Sequence, residues 1–142
     1  MAKVYYDQDA DLELLRDKTV AIIGFGNQGG AQGQNLKDSG IKVVIAEVEG
    51  TPNWKKAQEA GFEVMSAAEA AKKGDIIQML IPDEVQARVY KESIRKYMKK
   101  GKTLMFSHGF NIHFKAIKPP KDVDVIMVAP KGPGFMVRET YK

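Results

Sequence analysis

A chain of 142 residues, 44% of them hydrophobic, is long enough to bury one substantial core and too short for two ordinary domains. Its 22 basic and 18 acidic side chains leave a net charge of +4, and interleaved acids with no exposed-looking aromatic pairs favour a solvated face over a nucleic-acid groove. The absence of cysteine excludes disulfides, thiolate metal sites and a cysteine nucleophile, and the lack of a signal-like N-terminus or of a run near ~20 apolar residues sets the expectation of a soluble cytoplasmic protein without a membrane partner.

Taken in chain order, the first expected strand covers residues 19–23 and runs directly into Gly24-Phe-Gly26-Asn-Gln-Gly29. That spacing suits a dinucleotide pyrophosphate. Gly24 permits the tight turn, Gly26 lets backbone approach the phosphates, and Gly29 allows the next helix to pack closely on the strand. A helix over 28–39 follows, its N-terminus offering unpaired N–H groups to an anion, with Gly40 as its stop. A second strand at 42–46 ends at Glu47, about 20 residues beyond the glycine turn, where a carboxylate can accept bonds from both adenosine ribose hydroxyls and would repel a 2′-phosphate. Beside it stand apolar Val48 and, in the turn Gly50-Thr51-Pro52-Asn53, a hydroxyl and an amide. A helix at 54–60 and a short strand at 62–65 come next. Ser66 and Glu69 have the spacing of a capping box for a helix at 67–72. After a strand at 75–80, Asp83 and Gln86 can cap the longest helix, 84–98, in the same way, and residues 81–86 can line the nicotinamide ribose. The remaining strands are expected at 103–106 and 125–129, with Pro119-Pro120 marking a local turn between them.

Short apolar runs alternating with helical patterns are the signature of βαβ units, so the fold class is α/β, a doubly wound and mostly parallel sheet with helices on both faces. In such sheets the ligand lies beyond the carboxyl ends of the strands, at the switch in strand order. Two further phrases fall there: Ser107-His108-Gly109-Phe110-Asn111-Ile112-His113 and Ala129-Pro130-Lys131-Gly132-Pro133-Gly134. His108 beside a glycine can reach a ligand, and an imidazole suits general acid–base work near neutral pH; a hydrogen-bonded structural histidine is the alternative. His113 is given the structural role. Lys131, held between prolines, can orient a carboxylate or ketone, or be a solvated loop lysine.

At these residues the chain resembles the N-terminal domain of ketol-acid reductoisomerase, also called acetohydroxy-acid isomeroreductase. The phrases Gly24-Phe-Gly-Asn-Gln-Gly29, Asn35-Leu-Lys-Asp-Ser-Gly40, Pro82-Asp-Glu-Val-Gln86, His108-Gly-Phe-Asn-Ile-His113, Pro119-Pro120 and Ala129-Pro-Lys-Gly-Pro-Gly134 match that family in order and spacing, over essentially the whole chain. The resemblance implies a Rossmann domain for NADP or NAD. It also implies an enzyme that isomerises 2-acetolactate or 2-aceto-2-hydroxybutanoate with magnesium and then reduces the product with hydride, in valine and isoleucine biosynthesis. On the same grounds His108 is the active-site histidine, Lys131 lies beside the reacting centre, and Phe25, Asn27, Gln28, Asp83, Glu84, Val85, Gln86 and Gly134 join Gly24, Gly26 and Gly29 in contacting cofactor.

Three departures from the family shape the expectations. The sequence ends at Tyr141-Lys142, where the family continues into a helical domain that supplies the acidic magnesium ligands and substrate contacts. Residues 1–142 are therefore expected to form the cofactor domain without a metal site, inactive alone and oligomeric only with the helical domain. Val48 replaces a basic residue that holds the 2′-phosphate and Glu47 an apolar one, which suggests NAD. Gly30 and Gly33 replace larger side chains in a helix, each at up to ~1 kcal/mol relative to alanine. The alternatives are a stand-alone cofactor-sensing module and the cofactor domain of another hydroxyacid dehydrogenase, the latter leaving HGFNIH and APKGPG unexplained.

Overall fold

Val20-Ala-Ile-Ile is apolar on both sides of a strand, and a strand apolar on both sides needs cover on both faces. In a computed structural model describing residues 1–142, this run lies in the interior of a single sheet. The strands are β1 (Thr19–Ile23), β2 (Lys42–Ala46), β3 (Glu63–Met65), β4 (Ile76–Met79), β5 (Thr103–Phe106) and β6 (Asp124–Met127). Every pairing is parallel, in the order β3-β2-β1-β4-β5-β6, so the strand order switches between β1 and β4. Ile23 is level with both Ala46 and Met79, which sets the loops after β1, β2 and β4 side by side.

Alternation along the strands divides the core in two. Ala21, Ile23, Val44, Ala46, Ile77 and Met79 face one layer of helices, whereas Val20, Ile22 and Ile45 face the other with Phe25, Ala57 and Phe62. The helices are α1 (Glu13–Arg16), α2 (Asn27–Asp38), α3 (Pro52–Glu59), α4 (Ala67–Lys73), α5 (Asp83–Val89), α6 (Phe110–His113) and α7 (Gly134–Tyr141). Gly26 is the N-cap of α2, and Gly40 at φ +80° follows its C-cap. The helix lies so close to the sheet that a Cβ on Gly33 would stand 3.3 Å from Ile22 Cδ1 and 3.6 Å from Ile45 Cδ1, so this glycine serves close packing. A Cβ on Gly30 would make only ordinary contact with Phe25. Buried Lys102 ties β5 to α4 by donating from Nζ to the carbonyls of Ala71 (2.5 Å) and Lys72 (3.2 Å), and desolvation holds its ammonium pKa below the ordinary value.

Three expectations change. The long helix at 84–98 is divided: α5 stops at Val89, a π-helical turn covers Tyr90–Ile94, and a 3₁₀ turn covers Arg95–Tyr97. The wider winding seats both Tyr90 and Ile94 in the core. Asp83 and Gln86 do not form a capping box either, because Pro82 is the N-cap and Gln86 turns inward. The capping box at Ser66 and Glu69 is present, with bonds in both directions. Helices α6 and α7 replace what reads in the sequence as loop. No helix is long and apolar enough to cross a membrane.

Candidate functional site

The glycine turn after β1 has three different steric demands. Gly24 sits at φ +101°, and a Cβ there would lie 2.8 Å from Ile81 Cγ2 at the end of β4. A Cβ on Gly29 would be 1.9 Å from the Gly24 carbonyl oxygen, so α2 can leave the turn at this angle only with glycine there. At Gly26 a Cβ would meet nothing within 4 Å. That open side faces the start of α2, which no side chain caps, so its first N–H groups are left to an incoming anion. The cradle fits a dinucleotide pyrophosphate. Phe25 points the other way: its ring is buried edge-on against Phe62 (5.4 Å), leaving only backbone for a ligand.

Glu47 closes the turn from β2. Its Oε2 accepts the Phe25 N–H (2.9 Å), its Oε1 accepts the Val48 N–H (3.0 Å), and no cation pairs with it. These bonds leave lone pairs free on both oxygens. Beside it opens a cavity of about 430 Å³, lined by Ile23, Ala46, Ile81, Val89 and Trp54 together with Glu47, Glu49 and Glu69, and by no lysine or arginine. Hydrogen bonds from Ser66, first its hydroxyl and then its backbone N–H, hold the Glu69 carboxyl below the usual range. Val48 is exposed. Thr51 is not free to donate, since its hydroxyl gives its hydrogen to the Val48 carbonyl (2.7 Å) and accepts from Trp54 N–H as the cap of α3. Asn53 and Lys56 border a second cavity of about 490 Å³ with Gly26, Asn27 and Arg138. Arg138 is already committed to Asp38 (2.6 Å) and Asn35 (2.8 Å).

The loops after β4, β5 and β6 continue the row. Gln86 is buried and spends its amide on the Ile81 carbonyl (2.9 Å) and Asp83 Oδ1 (3.3 Å). Buried Asn111 donates to the Asp83 carbonyl (2.9 Å) and Gln86 Oε1 (3.0 Å), clamping α6 to the start of α5. Of the four residues read as cofactor contacts here, Asp83 and Val85 are half-buried, Glu84 is exposed, and Gln86 holds the loop from inside. His108 stands exposed over this clamp, with Nδ1 3.3 Å from Asp83 Oδ2. The neighbouring loop is tied to α2 by Gln28 Nε2 donating to the Gly132 carbonyl (3.1 Å), which brings exposed Lys131 toward the glycine turn. Gly134 is required for packing: a Cβ there would be 2.0 Å from the Asn27 carbonyl oxygen. Ser107 Oγ is buried without a partner at the end of β5. His113 is exposed, its ring edge-on to Phe114 at 4.7 Å, outside the core.

Sequence reasoning missed Trp54, which reaches the cavity beside Glu47 only through the placement of α3 in the fold.

Comparison with known proteins gives one family. Residues 14–142 match the family described as acetohydroxy acid isomeroreductase, NADPH-binding domain. A ketol-acid reductoisomerase (NADP(+)) from Leptospira biflexa is 59% identical over 141 residues, covering 99% of this chain and 42% of that protein. The structure of an NADH-preferring ketol-acid reductoisomerase from an uncultured archean is 54% identical and superposes with a TM-score of 0.95, over 99% of this chain and 44% of that one. A 3-hydroxyisobutyrate dehydrogenase from Mycobacterium tuberculosis, 21% identical with a TM-score of 0.72 over 86% of this chain and 43% of its own, shares the fold. This chain spans less than half the length of all three.

Proposed function

This chain belongs to the ketol-acid reductoisomerase family as its cofactor-binding domain, and on that premise we propose that it binds NADH at least as tightly as NADPH and presents the dihydronicotinamide to a branched acetohydroxy acid. The cofactor supplies hydride. Glycines 24, 26 and 29 and the open end of α2 hold its pyrophosphate, Glu47 accepts from the adenosine ribose, and Asp83, Glu84, Val85 and Gly134 line the nicotinamide half. His108 and Lys131 meet the substrate oxygens. No three carboxylate or imidazole side chains are grouped closely enough to hold a metal ion, which supports assigning the magnesium ions and the alkyl migration to the remaining length that the relatives possess. The cellular setting of that work is the cytoplasm.

One observation carries the cofactor preference: the cavity beside Glu47 is lined by three carboxylates and no cation. A 2′-phosphate placed about 4 Å from an unpaired carboxylate costs roughly 1–4 kcal/mol at effective dielectrics of 80 to 20, or about one to three decades in affinity. The test is a titration of the chain with NADH and NADPH, read by Trp54 fluorescence or nicotinamide emission. Binding of NADPH tenfold or more tightly would overturn the preference, and binding of neither would overturn the function.

A further inference from the structure

We propose that Asp83 is the positioning residue for His108, placing the hydrogen of the neutral imidazole on Nδ1 and leaving the lone pair of Nε2 as the group that faces substrate. This rests on the reading of His108 as an active-site residue, but its geometry is independent of cofactor binding.

Two groups compete for Nδ1. Asp83 Oδ2 lies 3.3 Å away and can only accept, so that contact needs a hydrogen on Nδ1. The Phe110 N–H lies 3.2 Å away and can only donate, so that contact needs the lone pair there. Both cannot hold at once. In this structure only the Phe110 N–H meets Nδ1 in hydrogen-bond geometry, and the carboxylate sits at ion-pair distance. A hydrogen bond to a charged acceptor is about twice as strong as one between neutral groups, so a small rotation of the exposed ring gives Nδ1 to the carboxylate and leaves the Phe110 N–H to solvent. Whichever partner is engaged, Nδ1 is the nitrogen held by the protein and Nε2 the one presented outward. The carboxylate itself is not free to swing. Gln86 Nε2 holds Asp83 Oδ1 (3.3 Å), and Asn111 holds both the Asp83 carbonyl and the Gln86 amide oxygen. Two buried amides thus aim one half-buried carboxylate at one exposed imidazole, and Asp83 is the only ion-pair partner of that ring.

The consequence for chemistry is a direction of proton flow. A neutral His108 with its hydrogen on Nδ1 accepts a proton at Nε2 and returns it there, while Asp83 stabilises the imidazolium formed in between. The same histidine in the opposite tautomer would begin as a donor.

The test is ¹⁵N NMR of the histidine-labelled 142-residue chain above neutral pH, in long-range ¹H–¹⁵N correlations that distinguish the two tautomers. His113, which makes no side-chain hydrogen bond or ion pair, is the internal reference. The ratio of Nδ1–H to Nε2–H in His108 should exceed that of His113 by roughly fivefold, the effect of one charge-assisted bond displacing one ordinary bond. Asp83→Ala and Asp83→Asn should both bring it down to the His113 ratio or below, since the Phe110 N–H then meets the Nδ1 lone pair, and the dispersed amide spectrum of each variant would establish that it remains folded. Equal ratios in the wild-type chain, or an elevated ratio that survives both substitutions, would overturn the assignment. Since no cofactor is added, failure here leaves the nicotinamide titration untouched, and the reverse also holds.

Discussion

A Cβ at Gly29 would overlap the Gly24 carbonyl oxygen at 1.9 Å, whereas one at Gly26, three residues earlier, would enter open space. The two substitutions should therefore fail in different ways. Gly29→Ala must move either the turn or α2 and is expected to cost about 3 kcal/mol or more of stability. Gly26→Val should cost about 1 kcal/mol, as a poorer helix N-cap, while weakening cofactor binding by at least about a hundredfold. Denaturant unfolding beside an NADH titration separates the two losses, and retained affinity in Gly26→Val would refute the assigned pyrophosphate position. The glycine spacing was legible in the sequence because each role in the turn has a fixed offset. The difference between Gly30 and Gly33 was not, since only the approach of Ile22 and Ile45 to one side of α2 makes the second glycine tight. Thr51 carries the same lesson: its hydroxyl looked available, and a local cap used its hydrogen first.

Among the elements, α4 is the one whose start could be read directly, because a capping box needs only two residues at a fixed spacing. Ser66→Ala is expected to cost about 1 kcal/mol and also to change the response to acid. In the folded chain Glu69 is held below its ordinary value of 4.5 by the Ser66 hydroxyl and then by the Ser66 N–H. A carboxyl with a depressed folded pKa adds stability that is fully present above its unfolded pKa and disappears as pH falls through the folded one. Unfolding free energies measured from neutral pH downward should thus fall less steeply in Ser66→Ala below the ordinary carboxyl range. Parallel acid limbs would show that the cap contributes nothing through ionisation. Elsewhere local signals were weaker than tertiary ones. Helix α7 opens on Pro133-Gly134 with no side-chain cap, so nothing marked its beginning; it exists because Gly134 lets it abut the Asn27 backbone. The π turn at Tyr90–Ile94 keeps the helical composition of its neighbours, and only the demand that both Tyr90 and Ile94 reach the core reveals it.

Across the whole molecule, a formal charge of +4 coexists with a cavity lined by Glu47, Glu49 and Glu69. Alternating strands and helices made the sheet and its carboxyl edge legible, but not the fact that Lys56 and Asn53 line a different cavity from the one beside Glu47. This separation yields a prediction about salt. NADH and NADPH share every group except the 2′-phosphate, whose charge is about −1.5 to −2 at neutral pH, so the ratio of their dissociation constants isolates its surroundings. The Debye length shortens from about 30 Å at 0.01 M to about 10 Å at 0.1 M and 3 Å at 1 M. If the near field of the carboxylates governs, NADPH starts weaker and the ratio of its Kd to that of NADH falls toward one as salt rises, by about three- to tenfold over that range. If Lys55, Lys56 and the net positive charge govern, the ratio starts below one and rises instead. Glu47→Gln should flatten the first trend and leave the second unchanged. A ratio that rises with salt in the wild-type chain would show that the lysines reach the phosphate and that Glu47 does not set cofactor choice.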